Sequence, residues 1–201
     1  MLSLARQKSL EQQIDIEWHE HDISDIKELN LVKEGEEGFD VITCGSALIL
    51  LPDPVPAVKH WLSLFKPGGV LMTDIQSRNS NIVMSIFASI GEDVGESLKW
   101  DMNQFQRIED LGTLVEGAGF KVEKLWESEV FRMEEIETRD GKGKVMFEEA
   151  VRSLMFAGFG KEGVKEKAKE AFVNRLKEIG GVERGVRQET RFWMCIARKP
   201  F

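Results

Sequence analysis

Cysteine is scarce in this chain: Cys44 and Cys195 are the only two, far apart and each set in an apolar run. That excludes a disulfide framework and a cysteine-rich zinc cluster, so no metal is expected, and it fits a reducing, cytoplasmic setting. Long apolar runs are missing too. A stretch such as Ala47–Leu51 falls far short of the roughly 20 residues that a membrane span needs. No secretory signal opens the sequence, because Arg6 and Lys8 lead into Glu11, Gln12 and Gln13 rather than an apolar core. Positive charge is in deficit: 27 Lys and Arg face 35 Asp and Glu, a net charge of −8. A nucleic-acid backbone is therefore not expected as the partner. The basic residues gather late, 11 of the 27 lying from Ala157 onward against 6 of the 35 acidic ones. A solvated helix face accounts for that bias. Internal repeats and low-complexity segments are also absent.

What is present is enough for one core, with 42% hydrophobic residues in 201. Leu2, Leu4, Ala5 and Leu10 follow a helical spacing among Arg6, Gln7 and Lys8. Ile14, Ile16 and Trp18 alternate with Asp15, Glu17 and His19, which predicts a strand with one buried face. Asp22 or Ser24 can then cap a short helix carrying Ile26, Leu29 and Val32. Phe39 to Thr43 form a β-branched run ending at Cys44, Gly45 and Ser46, the profile of a strand buried on both faces in a parallel sheet. A helix with Val58, Trp61, Leu62 and Phe65 on its stripe follows the prolines, and KPGG turns the chain into a strand from Val70 to Thr73 ending at Asp74. Residues 80–90 read as a helix, 91–105 as a loop, and Ile108, Leu111, Val115 and Ala118 share another helical face. A strand from Phe120 to Trp126, helices around 147–156 and 164–179, and a final strand RFWMCIAR complete the pattern. Strands alternating with helices predict an α/β three-layer sandwich.

Five stretches in this order resemble the class I S-adenosylmethionine-dependent methyltransferases, in particular the small-molecule branch of ubiquinone and menaquinone methyltransferases. HDISD resembles the acidic turn after that family's third strand, and GFDVITCGSALILLPDP its fourth strand and loop. LFKPGGVLMTDI resembles the fifth strand, EDLGTLVEGAGFKVEKLWE the next helix and sixth strand, and RFWMCIARKP the antiparallel seventh strand. The resemblance implies a Rossmann-like fold, mostly parallel with an antiparallel C-terminal strand, in a single domain over 1–201 with a helical insertion at about 145–181. It also implies S-adenosylmethionine as cofactor. Asp22 would accept a hydrogen bond from the adenine amino group and Ile23 would pack on the ring, although Asp22 also reads as a plain helix cap. Cys44, Gly45 and Ser46 would lie beside the methionine part, although Gly45 also reads as a strand-end turn. Such sites sit outside the carboxyl ends of strands, where all of these residues fall.

Two family features have no counterpart: the glycine-rich turn after the first strand, which cradles the cofactor, and the acidic residue that ends the second. MLSLARQKSL resembles the helix after that second strand, so the chain reads as starting part-way into the fold, and Met1 as a possible internal methionine of a longer reading frame. The expected sheet then runs third, fourth, fifth, seventh, sixth, or a second copy covers the exposed edge as a homodimer. Of the histidines only His21 lies near the ligand edge, making it the one candidate base. Met84, Phe87, Trp100, Met102, Met155 and Phe156 suit an apolar small-molecule acceptor, or equally a packed core. The expected function is small-molecule methyl transfer. The alternative is a truncated fold that transfers no methyl and serves as a scaffold, cyclase or isomerase.

Overall fold

The computed structural model describes residues 2–32, 37–98, 104–138, 141–180 and 185–201. A helix α1 (Leu2–Glu11) opens the chain, as its spacing predicts. The strand expected over Ile14–Trp18 does not form: the segment is unpaired, with Ile14 and Ile16 exposed. Alternation alone does not make a strand, because its backbone groups need a lateral partner. The helix expected next shrinks to a single 3-10 turn, Lys27–Leu29, ended by Asn30 in a left-handed conformation.

Strand β1 (Phe39–Gly45) runs parallel to β2 (Phe65–Gln76), with α2 (Pro54–Leu64) as the crossover between them. Asp53 caps α2 by accepting the Val55 N–H at 3.0 Å. KPGG is not a turn before β2 but a bulge inside it. Phe39 pairs with Phe65 and Val41 with Val70, so β2 loops out against β1. Glycine is required there, since Gly68 has φ +77 and a Cβ on Gly69 would stand 2.8 Å from the Phe39 carbonyl oxygen.

Helix α3 (Ile82–Val94) extends into the stretch expected to be a loop. Next come α4 (Ile108–Gly117), β3 (Lys121–Glu127), β4 (Arg132–Ile136), α5 (Lys142–Ala150), α6 (Lys165–Gly180), β5 (Val186–Thr190) and β6 (Phe192–Arg198). The main sheet has the order β1-β2-β6-β3, with β6 antiparallel to both neighbours, so three strands share a direction and one opposes. This corrects the expected five-stranded order, because no strand precedes β1 among the described residues. It also corrects the reading of β1 as doubly buried: at the sheet edge, Phe39 is 38% and Val41 51% exposed. β4 and β5 form a separate antiparallel ribbon that sequence reading did not foresee.

Register sorts the sheet's two faces. Leu71, Ile75, Trp193, Cys195 and Ala197 are buried on the face that α2 and α4 cover, together with Val58, Trp61, Leu111 and Val115. The other face carries Val41, Val70, Met72 and Ile196, with Met72 40% exposed. A second core joins α3, α5, α6 and the ribbon around Phe87, whose ring lies 4.5 Å from Phe156, 4.7 Å from Phe159 and 5.0 Å from Phe172. Met84, Phe87 and Phe156, weighed above as acceptor contacts or core, are buried in that cluster, and Met155 packs against it. Trp100 and Met102 lie outside the described residues. On the outside of the same layer Glu148 receives Lys165 and Lys169, each at 2.8 Å, and their hydrogen bonds hold its carboxyl down at about 2.

Candidate functional site

The parallel register of β1 and β2 sets Gly45 opposite Asp74, so both strands deliver their carboxyl ends to one place. Thr73, in register with Cys44, donates its hydroxyl to the Cys44 carbonyl at 2.9 Å. Beyond Gly45 the chain turns sharply, and Ser46 takes φ +53, which is unfavourable for a residue with a side chain. What holds it is Asp74: one carboxylate oxygen accepts both the Ser46 N–H at 3.0 Å and the Ser46 hydroxyl at 2.8 Å. Sequence reading placed Asp74 at a strand end; the structure makes it the anchor of the Cys44–Ser46 turn. A Cβ on Gly45 would meet nothing closer than the other Asp74 oxygen at 3.4 Å, an ordinary contact, and Gly45 has no positive φ. The fold itself therefore does not demand glycine at that position.

The chain before β1 supplies the second half of the site. Ile23, Ile26 and Leu31 lie over β1 with Trp61, Ile42 and Cys44, enclosing an apolar hollow of about 310 Å³ along the strand. The Trp61 indole N–H fixes this lid by donating to the Ile23 carbonyl at 3.3 Å. Thus Ile23 and Cys44, predicted as cofactor contacts, line one cavity. Asp22 is exposed beside it, and its carboxylate accepts the Ser24 N–H at 2.9 Å, an Asx turn rather than a helix cap. That bond holds the Asp22 carboxyl below its ordinary range. His21 is tied to its own turn, with Nε2 2.7 Å from the Asp25 carbonyl oxygen, to which it donates. Burial pushes the Cys44 thiol up, and the Cys195 thiol up to about 11; both are free. Among the described residues no three metal-ligating side chains gather, and no helix is long and apolar enough to cross a membrane.

The chain is 30% identical over 128 residues to the ubiquinone biosynthesis O-methyltransferase of Stutzerimonas stutzeri, spanning 62% of this chain and 52% of that enzyme. This similarity supports the resemblance to the class I methyltransferase family. No protein-family model matches it. In fold it is similar to a Bacillus halodurans protein described as a methyltransferase, with a TM-score of 0.55 and 17% identity, covering 100% of this chain and 79% of that one. The YcgJ protein of Bacillus subtilis gives the same TM-score of 0.55 at 10% identity, with coverage of 100% and 79%. The chain spans about half the length of the curated relatives it matches. In this family's frame β1, β2, β6 and β3 are the fourth, fifth, seventh and sixth strands, in the order that the sequence resemblance implied.

The residues present fit one part of S-adenosylmethionine, the family's cofactor. The Ile23–Cys44 hollow is apolar and sized for a flat ring, and the open backbone at Gly45 admits a close approach. Asp74 is the residue that the motif reading undervalued; its only signal in sequence was its place at the end of a β-branched run. Replacing Asp74 with Ala should lower unfolding stability by about 1–2 kcal/mol in urea titration, because two hydrogen bonds and the brace on a left-handed residue are lost together. An unchanged midpoint would show that the Ser46 turn holds itself.

Proposed function

We propose that this chain provides part of the cofactor edge of a small-molecule methyl-transfer site, using S-adenosylmethionine as donor. The observation that carries the reading is the register of Gly45 with Asp74, which builds an open backbone edge where ligands of such sheets bind. Ile23 and Cys44 would flank the adenine ring, with Asp22 beside its amino group. Gly45 and Ser46 would face the methionine part. When bound, the cofactor supplies an electrophilic methyl group. The chain's own contribution is to hold the acceptor in line with it, and alignment of that kind provides much of the acceleration in such transfers. Two buried free thiols support a reducing, cytoplasmic location for this chemistry. No specific contact favours a scaffold or isomerase role.

The β1 edge bears on how the site is completed. Among the described residues no strand pairs with its outer side, and Phe39, Val41 and Met72 leave apolar surface in water beside it. Such an edge is a template for association, and we infer that a second copy covers it. Sedimentation of the purified chain should give a dimer that dissociates on dilution, whereas a monodisperse monomer at tens of micromolar, roughly the range of weak dimers, would remove this inference.

Gly45→Ala tests the functional reading itself. Alanine has room in the fold, so the melting temperature should hold or rise slightly. Calorimetric affinity for S-adenosylmethionine should fall by about tenfold or more, because the new methyl stands where the backbone meets the ligand. Unchanged affinity would take Gly45 out of the site.

A further inference from the structure

A second cavity opens at the carboxyl end of β2, separate from the Ile23–Cys44 hollow. It encloses about 470 Å³ between Ser77, Arg78, Gln106, the end of β3 and the junction of β5 with β6. Its charge composition differs from that of the whole chain. Three guanidiniums line it, Arg78, Arg187 and Arg191, against two carboxylates, Glu127 and Glu189, in a protein whose net charge is −8.

Most of these charges have partners within the cavity wall. Glu189 holds two of the three arginines, Arg187 on one oxygen and Arg191 on the other, each at 3.1 Å. Glu127 accepts the Trp193 indole N–H at 3.1 Å. Arg191 is fixed further through its backbone, whose N–H donates to the Ser80 hydroxyl oxygen at 2.8 Å. Ser80 is buried and shares a 2.6 Å hydrogen bond with Ser77, so both hydroxyls in the cavity lining are engaged. Arg78 stands apart. Its guanidinium donates to the Gln106 side-chain oxygen, a neutral group, and it forms no ion pair with any described carboxylate. An arginine oriented by an amide keeps its full charge and the rest of its donor fork for something else.

We propose that this cavity binds a small organic anion, whose carboxylate or phosphate is received by Arg78, with Arg187 and Arg191 forming the opposite wall. A guanidinium fork matches either oxyanion in bidentate fashion. The size suits a compact ligand, since small-molecule sites usually measure several hundred Å³. Position adds to the argument: the cavity lies outside the carboxyl end of β2, the side of the sheet where α/β proteins take ligands. The claim concerns binding alone and does not depend on whether the chain transfers a methyl group.

Titration of the full chain with benzoate, its neutral isostere benzamide and inorganic phosphate tests it, read by calorimetry or amide chemical shifts in the absence of S-adenosylmethionine. Benzoate or phosphate should bind at least about tenfold more tightly than benzamide, and affinity should fall as salt is raised. Arg78→Gln should remove roughly tenfold or more of the anion affinity, while Arg152→Gln, at an exposed position on the other core, should leave it unchanged. A preference for benzoate identifies a carboxylate ligand, and a preference for phosphate a phosphate ester. Anions that bind no better than benzamide, or an Arg78→Gln chain that binds them as the parent does, would overturn the proposal.

Discussion

The parallel pairing of β1 with β2 is the constraint on which the rest of the structure depends. It requires a crossover on one side of the sheet, and α2 supplies it, burying Val58 and Trp61 against Leu71 and Ile75. It also fixes which backbone atoms lie at the carboxyl edge of the two strands. Gly45 and Asp74 become neighbours only in this register, and a slip of one residue would turn Asp74 into the helix-covered face. Ser46 can then hold a left-handed conformation because a carboxylate from the next strand meets both its donors.

The same pairing leaves a cost on the other side of β1. An edge strand in the middle of an apolar surface keeps Val41 and Phe39 half in water, and each such side chain forgoes about 1–2 kcal/mol of burial. The segment from Ile23 to Leu31 recovers part of this by folding over the strand, pinned by the Trp61 indole. The apolar hollow between lid and strand is therefore a direct result of the open edge. The lid and the exposed strand edge therefore share one apolar surface.

Much of this was legible in the sequence where local pattern and tertiary role agree. The β-branched runs at 39–43 and 70–73, the stripe of Ile108, Leu111 and Val115, and RFWMCIAR all gave their elements because each packs against the core its periodicity points to. IDIEW misled because alternation reports a preference, and the lateral partner it needs is not encoded within the segment. β1 was read as buried for a related reason: its composition reflects both faces of a central strand, while among the described residues it pairs with β2 alone. The β4–β5 ribbon stayed hidden because RMEEI and VRQET are mostly polar, with only Ile136 and Val186 tying them to the second core. Of the candidate site, motif order proposed Ile23 and Cys44, which line one hollow, whereas the Ser46–Asp74 brace depends on a contact across 28 residues that no spacing rule contains.

The central claim is that the carboxyl ends of β1 and β2, with the lid before β1, form the cofactor edge of a methyl-transfer fold. Amide chemical shifts of the isotopically labelled chain, followed while the demethylated product of S-adenosylmethionine is added, address it most directly. The account predicts perturbations concentrated at Ile23, Cys44, Gly45 and Ser46, spreading to Asp74 through its brace. Saturating shifts elsewhere, or none at millimolar ligand, roughly the limit of weak specific binding, would contradict it.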